Sequence, residues 1–125
     1  MIIDDDEDVH SAVERGLIEK IGPLGGSIRA GRSRNDLVIT DFKLCLIDHL
    51  LEVAQLTSNL ISVIAVKSEK EINTISPGYT HLQHAQPVSF GHELAKHAHA
   101  LLRDVSRISD WLERNSFSPF GAGAL

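Results

Sequence analysis

From Asn35 to Asn73 the chain contains neither proline nor glycine, and that stretch constrains the fold more than any other feature. Apolar residues recur along it at helical spacing. One stripe runs Leu46, Leu50, Val53, Thr57, Leu60 and Ile64, and a neighbouring one runs Leu44, Ile47, Leu51, Ala54, Ser58, Ile61 and Ala65. A helix of roughly 35–40 residues is about 50–60 Å long, against an average of ~11 residues for globular helices. The two stripes together are too wide for a two-stranded seam. Long helices with wide apolar faces build bundles, and the small Ala54, Ser58, Ala65 and Ser68 let a neighbour approach closely. Lys67, Glu69, Lys70 and Glu71 mark a solvated end.

Two more helices are predicted. After the acidic run Asp4-Asp5-Asp6-Glu7-Asp8, suited to the positive end of a helix dipole, Val9, Ala12, Val13, Leu17 and Ile21 keep helical spacing until Gly22-Pro23 stops them. His10 there reads as a surface histidine, and Leu24 to Gly31 as a glycine-rich connector. The last pattern runs from about Ser89 to Asn115 through Phe90, Leu94, His97, Ala98, Leu101, Leu102, Val105, Ile108 and Leu112, with Trp111 as a packing residue. The expected class is all-α. Two long helices and a short one cannot cover their own apolar faces. The chain is therefore expected to oligomerise and to belong to a larger protein.

Charge and cysteine usage narrow the partners. A net charge of -5 argues against nucleic acid. Cys45 is the only cysteine, which excludes an internal disulfide framework and fits a reducing, cytoplasmic setting. It is expected to be a buried small side chain. Met1 leads directly into the acidic run, and no long uncharged apolar run occurs, so neither signal peptide nor membrane partner is expected. His92 and His99 lack a carboxylate at ligand spacing, so no metal is expected.

Two polar segments carry the chemistry. Gly31-Arg32-Ser33-Arg34-Asn35-Asp36 leads into the long helix. Ser, Asn and Asp are all N-cap types, which gives a plain helix start. The alternative reading uses the same physics: free backbone N–H groups with the flanking Arg32 and Arg34 guanidiniums would bind an anionic small molecule. The second segment, Ser76-Pro77-Gly78-Tyr79-Thr80-His81-Leu82-Gln83-His84-Ala85-Gln86-Pro87, separates the two long helical patterns. Pro77-Gly78 and Pro87 stop both helices. Between them lie a phenol, a hydroxyl, two imidazoles and two amides, more hydrogen-bonding groups than a helix connector needs.

These segments together resemble argininosuccinate lyase. Gly31-Arg32-Ser33-Arg34-Asn35-Asp36, followed about forty-five residues later by Pro77-Gly78-Tyr79-Thr80-His81-Leu82-Gln83 and Ala85-Gln86-Pro87, is similar to that family's pattern. Asp6-Glu7-Asp8-Val9-His10 resembles its Asp-Glu-Asp-Ile/Val-His stretch. Ser118-Pro119-Phe120-Gly121-Ala122-Gly123-Ala124 resembles its Pro-Leu-Gly-x-Gly-Ala segment. Adenylosuccinate lyase and fumarase, siblings in the fumarase/aspartase superfamily, share the Thr-His or Ser-His but do not usually carry Gly-Arg-Ser-Arg-Asn-Asp. Lens δ-crystallin uses the same fold structurally.

The resemblance implies a fumarase/aspartase-type central bundle of long antiparallel helices in a homotetramer whose active sites draw on three subunits. It implies a cofactor-independent, reversible β-elimination of L-argininosuccinate to L-arginine and fumarate, in arginine biosynthesis. Residues 1–31 would close the N-terminal helical domain with its connector, and residues 32–125 would begin the central bundle domain. His81 matches the catalytic histidine, as acid or base. Asn35 and Thr80 match substrate-binding positions. Ser33 and Arg34 belong to the same substrate-binding loop and are expected to contact substrate as well, and Gln83 and Gln86 hold the second loop or touch substrate.

The chain departs from the family at Arg29-Ala30, where His-Thr is common, and at Leu37, where Gln is usual. The family's Gly-Ser-Ser-x-Met-Pro-x-Lys-x-Asn loop, with its catalytic serine and substrate-binding lysine, is not among these 125 residues. An internal fragment is therefore expected, inactive by itself. The other expectation is a non-catalytic helical remnant, or a structural protein of the same fold, that acts only by association.

Overall fold

The computed structural model describes residues 2–123; Met1, Ala124 and Leu125 lie outside them, so the last residue of the glycine-rich segment is not described. The fold is mainly helical. Helix α1 spans Val9–Ile21, a 3-10 turn of helix follows over Gly22–Arg29, and α2 spans Arg34–Lys70. Strands β1 (Ile75–Thr80) and β2 (Gln83–Ser89) come next, then α3 (Phe90–Arg114). Two compact units divide the chain: residues 2–46 with 117–123, and residues 47–116.

In the first unit, α1 begins where the acidic run predicts. Asp8 is its N-cap, and the Asp8 carboxylate accepts the Ser11 N–H at 2.9 Å, satisfying one of the orphan donors of the first turn. Asp6 lies one turn outside and takes Arg15 at 3.0 and 2.9 Å. The expected connector is ordered instead as a 3-10 helix with Pro23 at its start. It lies so close to α1 that a Cβ on Gly25 would be 2.6 Å from the Ile18 nitrogen. Only glycine permits that contact.

In the second unit, α3 returns antiparallel to the end of α2. Ile72, just past α2, and Ser68, Ala65 and Ile61, descending it, share one groove with Gly91, Ala95, Ala98 and Leu102, ascending α3. The closest approach is at Gly91, where any Cβ would collide with the Ser68 carbonyl oxygen. The Ser68 hydroxyl donates to the Gly91 carbonyl, and the Gly91 N–H donates to Glu71 O at 3.1 Å. Ser89 caps α3, accepting from His92 N–H at 3.1 Å.

The polar segment between the long helices is a β-hairpin, not an irregular loop. Its strands pair antiparallel, with Pro77 opposite Pro87, Tyr79 opposite His84 and Thr80 opposite Gln83, and a register shift at Gly78. The two prolines are tolerated because they face each other at a pair that exchanges no N–H bonds, on a ribbon with two free edges.

Apolar burial is slight. Ala98 is the one buried hydrophobic side chain among the described residues, while Leu44, Leu51, Leu56, Leu60 and Val63 on α2 are all at least half exposed. Cys45, expected to be buried, is exposed on the same helix, where much of the apolar surface is uncovered among the described residues. Among the described residues, no helix is long and apolar enough to cross a membrane.

Candidate active site

The start of α2 is held by charge. Arg34 is the first helical residue. Its Nη2 donates to Asp8 Oδ1 at 2.8 Å and to Ser11 Oγ at 2.9 Å, and its Nη1 donates to Glu7 Oε2 at 3.3 Å. The Ser11 N–H, the Ser11 hydroxyl and then the Arg34 charge hold the Asp8 carboxyl below the usual carboxylate range. Ser33 Oγ accepts the Asn35 N–H at 3.3 Å, a turn that occupies one of the orphan donors. Arg32 is not ion-paired to this cluster; its guanidinium stacks 3.9 Å from the centre of the Phe120 ring.

Asp36 anchors the same region from the other side. It is 5% exposed, and its Oδ2 accepts the N–H groups of Gly121 and Gly123 at 3.2 and 3.3 Å. Thr40 Oγ and Ser118 Oγ meet at 3.3 Å, and Lys43 donates to the Phe117 carbonyl. The glycine-rich segment is thus strapped to the first turns of α2. A cavity of ≈ 80 Å³ sits between these groups, lined by His10, Arg32, Ser33, Arg34, Asp36 and Phe120 among others. Three buried atoms without a hydrogen-bond partner, His10 Nδ1, Arg34 Nε and Asp36 Oδ1, belong to residues of its wall. His10 is half-buried rather than a surface residue, with its Nδ1 4.0 Å from Asp41.

The hairpin tip is held differently. Thr80 and Gln83 close the turn, and the two residues between them, His81 and Leu82, have φ of 49° and 61°. Two consecutive left-handed residues are the φ signature of the tight hairpin turn usually made by Asn-Gly. Histidine visits that region several-fold more often than most residues; leucine does not. The expected cost is about 1–2 kcal/mol for each such residue. Leu82 is 94% exposed. Below the tip the Tyr79 and His84 rings lie 5.1 Å apart. Beside it a concavity of ≈ 410 Å³ is lined by Thr80, Gln86, Glu93 and Lys96, among others. A lysine and a hydroxyl facing one hollow can meet an anionic group, although Lys96 is already paired with Glu93.

Of the residues singled out from the sequence, Ser33, Arg34 and Asn35 share the start of α2 in the first unit. Thr80, His81 and Gln83 share the hairpin tip in the second. Asp8, Ser11, Asp36 and Phe120 were not singled out. Asp8 could have been marked as the last acidic residue before the apolar period, an N-cap type; no local signal marks Ser11.

The model of the lyase family matches residues 1–125, and the chain belongs to that family. It is 54% identical over 121 residues to the argininosuccinate lyase of Frankia casuarinae, covering 97% of this chain and 26% of that protein. It is 51% identical over 122 residues to that of Saccharopolyspora erythraea, covering 97% and 25%. Among solved structures, EDDS lyase in complex with formate is similar with a TM-score of 0.79 and 30% identity, over 89% of this chain and 22% of that one. An EDDS lyase variant with bound fumarate matches equally well. The chain spans about a quarter of the length of the curated relatives it matches.

Proposed function

We propose that this chain is the part of an argininosuccinate lyase that carries the catalytic histidine and one substrate-binding loop. The observation that carries the reading is His81, presented with Thr80 at a strained hairpin tip, in a chain about half identical to several argininosuccinate lyases. The reaction is the reversible β-elimination of argininosuccinate. A proton leaves the carbon next to the one bearing nitrogen, the C–N bond breaks, a C=C bond forms, and the leaving guanidinium nitrogen takes up a proton. The products are fumarate and arginine.

His81 moves one of those two protons; an imidazole titrating near neutrality suits either. Ser33, Asn35, Thr80 and Gln83 hold the carboxylates, whose negative charge grows as the proton leaves; Arg34 belongs to the same loop. In this reading residues 1–31 end an N-terminal helical domain and residues 32–125 begin the bundle domain of a cytoplasmic homotetramer serving arginine biosynthesis. No cofactor takes part, and residues 1–125 alone are inactive.

The uncovered apolar face of α2 favours a second reading, a helical piece that associates with a lyase bundle without catalysing anything. One experiment separates the two. Residues 1–125 replace the matching segment of the Frankia casuarinae enzyme, and fumarate release from argininosuccinate is followed by absorbance. The chimera is expected to turn over, and to stop when His81 becomes Asn. A chimera that assembles like its parent but releases no fumarate would overturn the catalytic reading.

A further inference from the structure

We infer that Arg34 is a positioning residue, one that fixes the loop Ser33–Asn35 from the side of α1 instead of contacting the substrate's carboxylates. The inference rests on the function proposed above and assigns the roles within that binding loop. An arginine has five N–H donors, and it grips a carboxylate through a fork of two nitrogens. Both hydrogens of the Arg34 Nη2 are matched, by Asp8 at 2.8 Å and Ser11 at 2.9 Å, and Nη1 is turned to Glu7 at 3.3 Å. The end-on fork is therefore closed.

The remaining edge is no more open. Nε is buried, and its residue lines a cavity of ≈ 80 Å³, room for two or three waters at ~30 Å³ each but not for a dicarboxylate. The Asp36 carboxylate shares that cavity. Charge points the same way, since two carboxylates, Glu7 and Asp8, face one guanidinium. The Arg34 charge is thus answered twice over; among the described residues, the guanidinium of this loop without a carboxylate partner is that of Arg32, stacked on Phe120. What Arg34 does supply is a tie between residues 26 positions apart, joining the N-cap of α1 to the first residue of α2. Ser33 and Asn35 flank that tie on either side. The positive end left for an anion is then the free N–H groups of α2 beside Ser33 and Asn35.

The two roles predict opposite signs for one substitution. Asp8→Asn keeps an N-cap of equal quality and an oxygen for the Ser11 N–H, while removing the charge that pins Arg34. It is made in the chimera described above. If Arg34 positions the loop, KM for argininosuccinate rises roughly tenfold, the scale of one lost charge-assisted hydrogen bond. kcat stays within about twofold, and the melting temperature holds. Adding Arg34→Gln to Asp8→Asn then makes matters no worse, because both act through one tie. Arg34→Lys, which keeps the charge but loses the fork, raises KM as much as Arg34→Gln does.

A fall in KM for Asp8→Asn, from a guanidinium released toward substrate, overturns the inference, as does an unchanged KM. So does an Arg34→Lys variant that retains parental KM. The dissociation constant of fumarate, measured by calorimetry on the same proteins, moves with KM and needs no turnover. A parent chimera that binds fumarate but releases none counts against the proposed reaction, and the sign of the Asp8→Asn shift still decides the role of Arg34.

Discussion

The loop at the start of α2 and the tip of the hairpin are held in place by opposite means. Around Ser33–Asn35 nearly every side chain is engaged: Arg34 by Asp8, Glu7 and Ser11, Arg32 by Phe120, and Asp36 by two glycine N–H groups. At Thr80–Gln83 the shape lies in the backbone alone. His81 and Leu82 are in the left-handed region, and among the described residues no hydrogen bond holds the His81 ring. The first loop is preset by its own chain. The second offers an imbalance: a strained turn and an apolar side chain that is 94% exposed. Strain of this kind persists where surroundings over-determine it, and it concentrates at functional sites.

The contrast can be broken most sharply at the tip. In the full-length chimera His81→Asn is expected to lower kcat about 10³-fold, the middle of the range for a lost general acid or base, with circular dichroism unchanged. A rate within tenfold of the parent would remove His81 from proton transfer. The next largest effect belongs to the preset loop. Asp36→Ala strips the acceptor from the Gly121 and Gly123 N–H groups, and should cost about 1–3 kcal/mol in urea unfolding. No loss would mean that the glycine strap is incidental.

Leu82→Gly goes the other way. Glycine adopts a φ of 61° freely, so stability should rise by up to about 1 kcal/mol. A loss of similar size would show that the leucine side chain, not the turn, sets the tip. The smallest effect is a matter of pH. Arg15 and the Ile3 N–H hold Asp6 down from 3.8 to about 2. A depressed carboxyl stabilises fully above 3.8 and loses that contribution as pH falls through about 2. Asp6→Asn should therefore melt below the parent near neutrality, with the gap closing toward acid. A constant gap would assign the effect to packing.

These regions also differ in how legible they were. Helices α1, α2 and α3 were readable to within a few residues, because a 3.6-residue period and clean stops at Gly22-Pro23 and Pro87 leave little choice. The hairpin was not. Pro77, Gly78 and Pro87 are breaker residues, and their permitted place in a strand emerges only once Pro77 is found opposite Pro87. The ordering of Gly22–Arg29 was hidden for a related reason, since glycine spacing does not disclose that a backbone is approaching. Ser33, Asn35 and His81 stood out from their motifs. Asp36, which holds the segment 117–123 from 85 residues away, depends on a contact that no local pattern encodes. The misjudged Cys45 has a simpler cause. Sequence gives the apolar pattern around it but not what covers it, and here the side chain is exposed.

Ala98, the one apolar side chain that the described residues manage to bury, has a thermodynamic consequence. A helix pair with so little interior gains most of its hydrophobic free energy only when further surface arrives. Where that surface is a second copy or the rest of a bundle, folding and association would be one equilibrium, governed by mass action. The melting temperature would then be no fixed constant of the sequence: it would climb with protein concentration, and dilution alone would act as a denaturant.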